Sequence, residues 1–338
     1  MRLRLLLTSL LLLVLPTEAV ALDAGPNDLY ARVVDVGPGL CVVVKAPGGK
    51  HLVFDGGHWT GKHCRDGVRA VVGDAEEIDV MILSHSDADH IGNVPDILGE
   101  YRVRQIFRAG EIRPGTTWQN ANNAIAEAAK HGATVINFLT MPLAPGTTFP
   151  LGDAVLTIVA GWTEWTEPGP TASEKVNALS IVAKLTYRGR SILLTGDTVG
   201  RRKDDDDSAC KDAEAVMVQR HQTGTVSLKA DVVQAPHHGG NNGSATCFIQ
   251  AVAPTFVIFS AGHQHEHPTR RAAQRYLTNG VRLQNILRTD RSDDEPGTHW
   301  QEGRIAGCHD KRGDDDVEVV IRDNGTVEVA YRTPDGGC

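Results

Sequence analysis

The chain has no excess of positive charge. Its 34 Lys and Arg stand against 42 Asp and Glu, a formal net charge of -8. Tight sequence-independent binding to long nucleic acid needs a basic track, and this balance argues against one. A small or short phosphate substrate remains compatible, because a bound metal supplies positive charge locally. The chain also lacks a C-x-x-C pair. Its cysteines, Cys41, Cys64, Cys210, Cys247, Cys308 and Cys338, are widely spaced, which argues against a cysteine zinc site. Beyond the first 21 residues no stretch is long and apolar enough to span a bilayer. No repeat array or low-complexity linker divides the chain.

What is present suits a folded protein with a sizeable core. Hydrophobic residues make up 41% of the 338 positions and charged residues 22%. The opening, "MRLRLLLTSLLLLVLPTEAVALDAG", combines a positive start at Arg2 and Arg4, a short apolar run from Leu5 to Leu15, and the small-x-small pattern Ala19-Val20-Ala21. It reads as a secretory signal peptide over residues 1–21, cut after Ala21. The competing reading, an uncleaved anchor, is weakened by the short run and by Pro16 and Glu18. The mature chain, 22–338, is expected to be a single domain in the periplasm or outside the cell. There an even number of cysteines allows up to three disulfides, and six cysteines permit about 15 pairings. Cys41 lies in the apolar run "LCVVV", so a buried free thiol is the alternative for it.

The mature chain opens with three β-rich runs, "LYARVVDVG", "LCVVVKAP" and "KHLVFDGG", separated by Gly and Pro, which predicts a meander. "DGVRAVVGD" reads as a short helix, "EIDVMILSH" as a strand, "VPDILGEY" as a helix and "VRQIFRAG" as a strand. "NANNAIAEAAKHGA" reads as a helix stopped at Gly132. "GTTFPLGDAVLTIVAG" predicts a hairpin turning at Gly152-Asp153, and "ALSIVAKLTYRGRSILLTGD" a second pair of strands. The run "RRKDDDD" at 201 to 207 reads as a solvated loop. "ADVVQAPHHGG" and "PTFVIFSAGHQHEHP" each read as strand into loop. "TRRAAQRYLTNG" reads as a helix, and the tail as a hairpin turning at Asn324-Gly325. Hairpins at both ends and alternating strands and helices between them predict a layered α+β domain, two sheets with helices outside.

Several strand-like runs end in a metal-type ligand: Asp55, His85, Asp197, the pair His237 and His238, and the group His263, His265 and His267. Each has a plain explanation. Asp55 before two glycines suits a turn, and a His-His pair after Pro236 suits a solvated loop. The isolated His51, His58, His63 and His131 read as surface residues. Taken together, imidazoles and carboxylates at strand ends are the donor set that divalent metals take. In "SHSDADHIGN" (84–93) a tight turn can aim His85 and Asp87 at one ion and Asp89 and His90 at another, with Asp197 as the bridging carboxylate. Such a pair lowers the pKa of a shared water and holds an oxyanion.

The motif "HSDADH" resembles the H-x-H-x-D-H signature of the metallo-β-lactamase fold, with Asp87 in place of its second histidine. The run of motifs "DVGPGL" (35–40), "DGG" (55–57), "LSHSDADHIGN" (83–93), "LLTGD" (193–197), "PHHGG" (236–240) and "EHP" (266–268) is similar to the metallo-hydrolase domain of the ComEC competence proteins and its secreted relatives. The resemblance covers residues 30 to 330. It implies a four-layer αββα sandwich with the site at one edge of the sheets. It implies two divalent metals, zinc first and manganese second. His85 and Asp87 would bind one, and Asp89, His90 and His237 the other, with Asp197 bridging. His267 would bind substrate or donate a proton, and Asp89 would also orient the nucleophile. Asn177 falls where a third histidine is expected for the first metal. Asp35, Asp55, Asn177 and His238 would stand behind the ligands and orient them, or contact the substrate. "DVGPGL" lacks the Gln and second Asp of the family's "DVGQGD", and Gly240 replaces a serine.

The expected activity is hydrolysis by a metal-bound hydroxide, with a small or short phosphodiester as substrate and a nuclease-like enzyme included. The alternatives are a lactone or β-lactam hydrolase, which Asp87 disfavours, and a non-catalytic metal-binding protein of the same fold. The sequence does not indicate an oligomeric state.

Overall fold

The computed structural model describes residues 21–110, 112–161, 174–262, 267–290 and 315–333. Residues 1–20, where the signal peptide is expected, and His263, His265, Cys308 and Cys338 lie outside these. Successive side chains of a strand point to opposite faces, and consecutive apolar residues in strands such as VVVKA and EIDVMIL are buried on both. Strands β1 (Leu29–Val33), β2 (Val42–Ala46) and β3 (Lys50–Phe54) form the expected antiparallel meander. Next come α1 (His63–Val72), β4 (Glu77–Leu83), α2 (Ala88–Ile91), α3 (Val94–Glu100), β5 (Arg102–Arg108), α4 (Thr116–Lys130) and β6 (Thr134–Asn137). From β3 to β6 the pairing is parallel. The closing hairpin, β14 (Val317–Ile321) and β15 (Val327–Tyr331), joins this sheet beside β1, giving eight strands in the order β15-β14-β1-β2-β3-β4-β5-β6.

The second sheet begins with the hairpin β7 (Thr148–Leu151) and β8 (Ala154–Ala160). It continues through α5 (Lys175–Ala178), β9 (Val182–Tyr187), β10 (Arg190–Leu194), α6 (Asp212–Gln222), β11 (Val232–Gln234), α7 (Thr246–Val252), β12 (Phe256–Phe259), α8 (Arg270–Thr278) and β13 (Ile286–Arg288). Its seven strands run β13-β12-β11-β10-β9-β8-β7, parallel from β10 to β13. The inward faces of both sheets share one core: Leu52, Phe54, Val80 and Ile82 from the first meet Leu156, Ile158, Leu194 and Ile258 from the second. Val53 and Met81, pointing outward, pack with Val68 of α1, Ile97 of α3 and Ile125 of α4. Met217 of α6, Phe248 of α7 and Tyr276 of α8 cover the second sheet. This is the four-layer αββα sandwich. Both sheets send the carboxyl ends of parallel strands to the same edge, the place where ligands bind in sheet-based α/β folds.

Some details differ from the sequence-based expectation. The "RRKDDDD" run is not simply solvated. Arg201 is fully buried, its guanidinium bonded to Asn241 and to the backbone carbonyls of Asp205 and Asp206. Gly200 N and Arg201 N both donate to Asn242 O, so the run grips the segment that carries His237 and His238. His51 and His58 are buried, whereas His63 and His131 are exposed. Cys41 is not a free thiol: it pairs with Cys64, and Cys210 pairs with Cys247. No described helix is long and apolar enough to cross a membrane.

Candidate metal centre

The end of β4 delivers Ser84 and His85, after which the chain turns through Ser86 and Asp87 into α2, which carries Asp89 and His90. This turn packs on the loop after β3. Gly92 N donates to Gly57 O, and a Cβ at Gly92 would lie 2.5 Å from Trp59 N, so only glycine fits there. From the other sheet, β10 delivers Asp197. β11 leads into a 3-10 turn, Pro236–Gly239, in which His237 and His238 both take left-handed backbone angles (φ 51 and 54). Asp55 is left-handed as well (φ 62). Non-glycine residues rarely adopt this region, and such strain persists only where the surroundings over-determine it.

Two groups of donors converge on Asp197. On one side, Asp197 Oδ1 lies 3.2 Å from His90 Nε2 and 3.3 Å from His238 Nε2, close but not aligned for a hydrogen bond. His238 Nε2 is 3.6 Å and His90 Nε2 3.9 Å from Asp89 Oδ2. On the other side, Asp197 Oδ2 lies 3.8 Å from both His85 Nε2 and His237 Nε2, and Asp87 Oδ2 is 3.9 Å from His85 Nε2. Asn177, on α5, reaches this side too, its Nδ2 3.1 Å from His237 Nε2. The resemblance placed His237 with Asp89 and His90. The structure places His238 there instead and turns His237 toward Asp197 Oδ2 and Asn177. His267 stands next to the pair, its ring centroid 5.4 Å from that of His237 and 6.3 Å from that of His238.

The groups behind the imidazoles set their tautomers. Asp55, fully buried, accepts from Ser84 N and Ser84 Oγ (2.6 Å each) and from His90 Nδ1–H (2.7 Å). Because Ser84 Oγ gives its proton to Asp55, it accepts from His85 Nδ1–H at 2.9 Å. His238 Nδ1–H donates to Ser260 O (2.7 Å), and His237 Nδ1–H to Asn242 Oδ1 (2.6 Å), whose amide in turn donates to Glu174. Each neutral imidazole therefore aims its Nε2 lone pair into the centre. His90 Nε2 and His238 Nε2 face each other at 3.1 Å. With both rings neutral, two lone pairs at that distance repel; a proton on one ring or a cation beside them relieves the repulsion. The Asp35 carboxylate accepts from Gly37 N and Asp315 N, tying the 35–40 loop to the chain before β14.

The electrostatics agree. Burial lowers the pKa of His90, but Asp197 and Asp55 outweigh it and raise it well above the usual imidazole range. Burial likewise lowers His238, and Asp197 again outweighs it. Burial, with His90, pushes His85 well below that range, so it stays neutral. Burial would raise Asp197, but His238, His90 and His237 hold it well below the usual carboxylate range. Burial raises Asp55, against His90 and Ser84. The centre attracts positive charge.

The donor set fits a divalent ion. His85 Nε2, Asp197 Oδ1 and Asn177 Oδ1 are buried and have no hydrogen-bond partner. His85, His90 and Asp197, and separately Asp89, His90 and His238, each offer donor atoms within 4.8 Å of one another. Ligands about 2.1 Å from a tetrahedral zinc stand roughly 3.4 Å apart, close to the spacings seen here.

The sequence profile of the Metallo-beta-lactamase superfamily matches residues 34–263. The chain belongs to that superfamily. Among curated members it is 25% identical over 219 residues to ComE operon protein 3 of Bacillus subtilis (strain 168), covering 64% of this chain and 24% of that protein. It is 26% identical over 270 residues to competence protein ComA of Neisseria gonorrhoeae, covering 79% of this chain and 32% of that one. The chain thus spans a quarter to a third of the length of these relatives. A solved metallo hydrolase from Ignicoccus hospitalis KIN4/I is 14% identical with a TM-score of 0.43, covering 80% of this chain and 97% of that one.

Proposed function

We propose that residues 22–338 form one catalytic unit, a binuclear metal-dependent hydrolase acting on small or short phosphodiesters. The observation that carries the metal reading is the convergence of His90 Nε2 and His238 Nε2, 3.1 Å apart, on Asp197 Oδ1. Asp89, His90 and His238 would hold one ion with Asp197 Oδ1. His85, Asp87 and His237 would hold the other with Asp197 Oδ2, Asn177 standing beside them. Zinc is the first expectation and manganese the second, since mixed nitrogen and oxygen donors suit both. The ions would supply an acidified water as nucleophile and steady the negative charge that develops on the substrate.

The chain's own residues do the rest. Asp55 and Ser84 hold His85 and His90 in the donor tautomer. Asp89 orients the nucleophile. His267, beside both members of the His-His pair, binds substrate or protonates the leaving group. Asp87, in place of a histidine, favours the phosphodiester over the lactone or lactam. Export to the periplasm or beyond suits the Cys41–Cys64 and Cys210–Cys247 disulfides.

Metal analysis of purified, reconstituted protein is expected to find close to two equivalents; none would sink the enzyme reading. Bis-p-nitrophenyl phosphate, a short single-stranded DNA, a cephalosporin and a lactone then separate the substrate classes. Turnover of the cephalosporin or lactone alone would overturn the phosphodiester assignment. Asp197→Ala should abolish turnover and lower metal content while leaving the circular dichroism spectrum unchanged.

A further inference from the structure

The loop after β5 carries one residue that neither the motifs nor the ligand set uses. Arg113 lies in the loop that follows β5 and reaches Asp87 of the candidate centre. Its backbone N donates to Ser86 Oγ at 2.5 Å, which pins the loop to the middle of "SHSDADH". Its Nε donates to Asp87 Oδ1, also at 2.5 Å, while Asp87 Oδ2 faces His85. The Arg113 side chain is 46% exposed, so the guanidinium reaches solvent beside Asp87.

The centre is rich in carboxylates: Asp55, Asp87, Asp89 and Asp197. Two divalent ions would neutralise these carboxylates, and a further cation beside them would favour an anionic diester over a neutral ester. A guanidinium is planar, permanently charged and shaped to meet phosphate oxygens, which suits it to that task. One of its partners, Asp87, is a carboxylate, a two-oxygen anion. An ion held by Asp87 would compete for that carboxylate's charge, and a substrate phosphate would offer the guanidinium an equivalent partner.

We infer that Arg113 is a substrate-binding residue that selects anionic over neutral substrates. The inference rests on the phosphodiester reading and deepens it. The test uses zinc-loaded wild type, Arg113→Lys and Arg113→Ala, each first assayed for metal content. Inorganic phosphate binding by calorimetry is the readout that does not depend on turnover. Losing a charged hydrogen bond should weaken phosphate binding about tenfold or more in Arg113→Ala, and less in Arg113→Lys, which keeps the charge but not the fork. KM for bis-p-nitrophenyl phosphate should rise in parallel with kcat little changed, and KM for neutral p-nitrophenyl acetate should stay put. Unchanged phosphate affinity in Arg113→Ala overturns the inference, whatever the activity. So does a drop in metal content, because Arg113 would then act through Asp87. Wild type that binds phosphate through Arg113 yet cleaves no diester would instead overturn the phosphodiester reading alone.

Discussion

At Asp55 one carboxylate accepts three hydrogen bonds, from Ser84 N, Ser84 Oγ and His90 Nδ1. Through Ser84 it also sets His85, so both halves of the candidate centre depend on it. An amide has a single acceptor oxygen, so Asp55→Asn leaves at least one of these donors poorly paired. Changes behind a metal-ligating histidine cost on the order of 10–100-fold in affinity. Asp55→Asn should show that loss in a zinc titration against a chelating dye. Asp55 was legible in the sequence as a strand-end residue of the "DGG" motif, suited either to a turn or to a place behind the ligands. Its place behind His90 depends on a partner 35 residues away.

At the scale of elements, the segment bearing His237 and His238 is braced from outside the metal centre. Glu214 of α6 accepts from Ser244 N and Ala245 N at the start of α7. Arg275 of α8 donates to Gly243 O and Ser244 O, and Arg201 to Asn241. The Cys210–Cys247 bridge spans 37 residues and joins the gripping loop to α7. In the chain-entropy limit such a bridge contributes about 4 kcal/mol. The double variant Cys210→Ser/Cys247→Ser should lose up to that amount in urea unfolding. The sequence showed strands, hairpins and α8 plainly, because their apolar patterns and turn residues are local. It did not show α6, whose buried face mixes Asp212 and Glu214 with Ala213, Met217 and Val218. Buried charges break the amphipathic pattern, and only their partners on other elements explain them.

For the whole molecule, Glu214 also links stability to pH. Burial raises its pKa from 4.5 to about 7, against the backbone donors Ala245 and Ser244 and the charges of Arg275 and Arg201. The folded state therefore holds this proton more tightly than the unfolded chain. The contribution is present below pH 4.5 and is lost as pH rises through about 7. A shift of that size corresponds to roughly 3 kcal/mol. The unfolding free energy of wild type relative to Glu214→Gln should fall between pH 4.5 and 8 at constant metal concentration. A constant difference across that range would contradict the assignment.

By itself the sequence determined the layered fold, the strand ends that carry imidazoles and carboxylates, and the membership that its ordered motifs signal. These features are local: a strand's period, a turn's glycine, a histidine two residues from an aspartate. Tertiary structure decided which of two adjacent histidines faces Asp89 and His90. The choice turns on left-handed backbone angles at both residues and on partners elsewhere, Ser260 O for His238 and Asn242 for His237. It also decided the disulfide partners, the burial of Arg201 and the bond between Arg113 and Asp87. Each of these joins groups that the chain separates and only the packed sheets bring within reach.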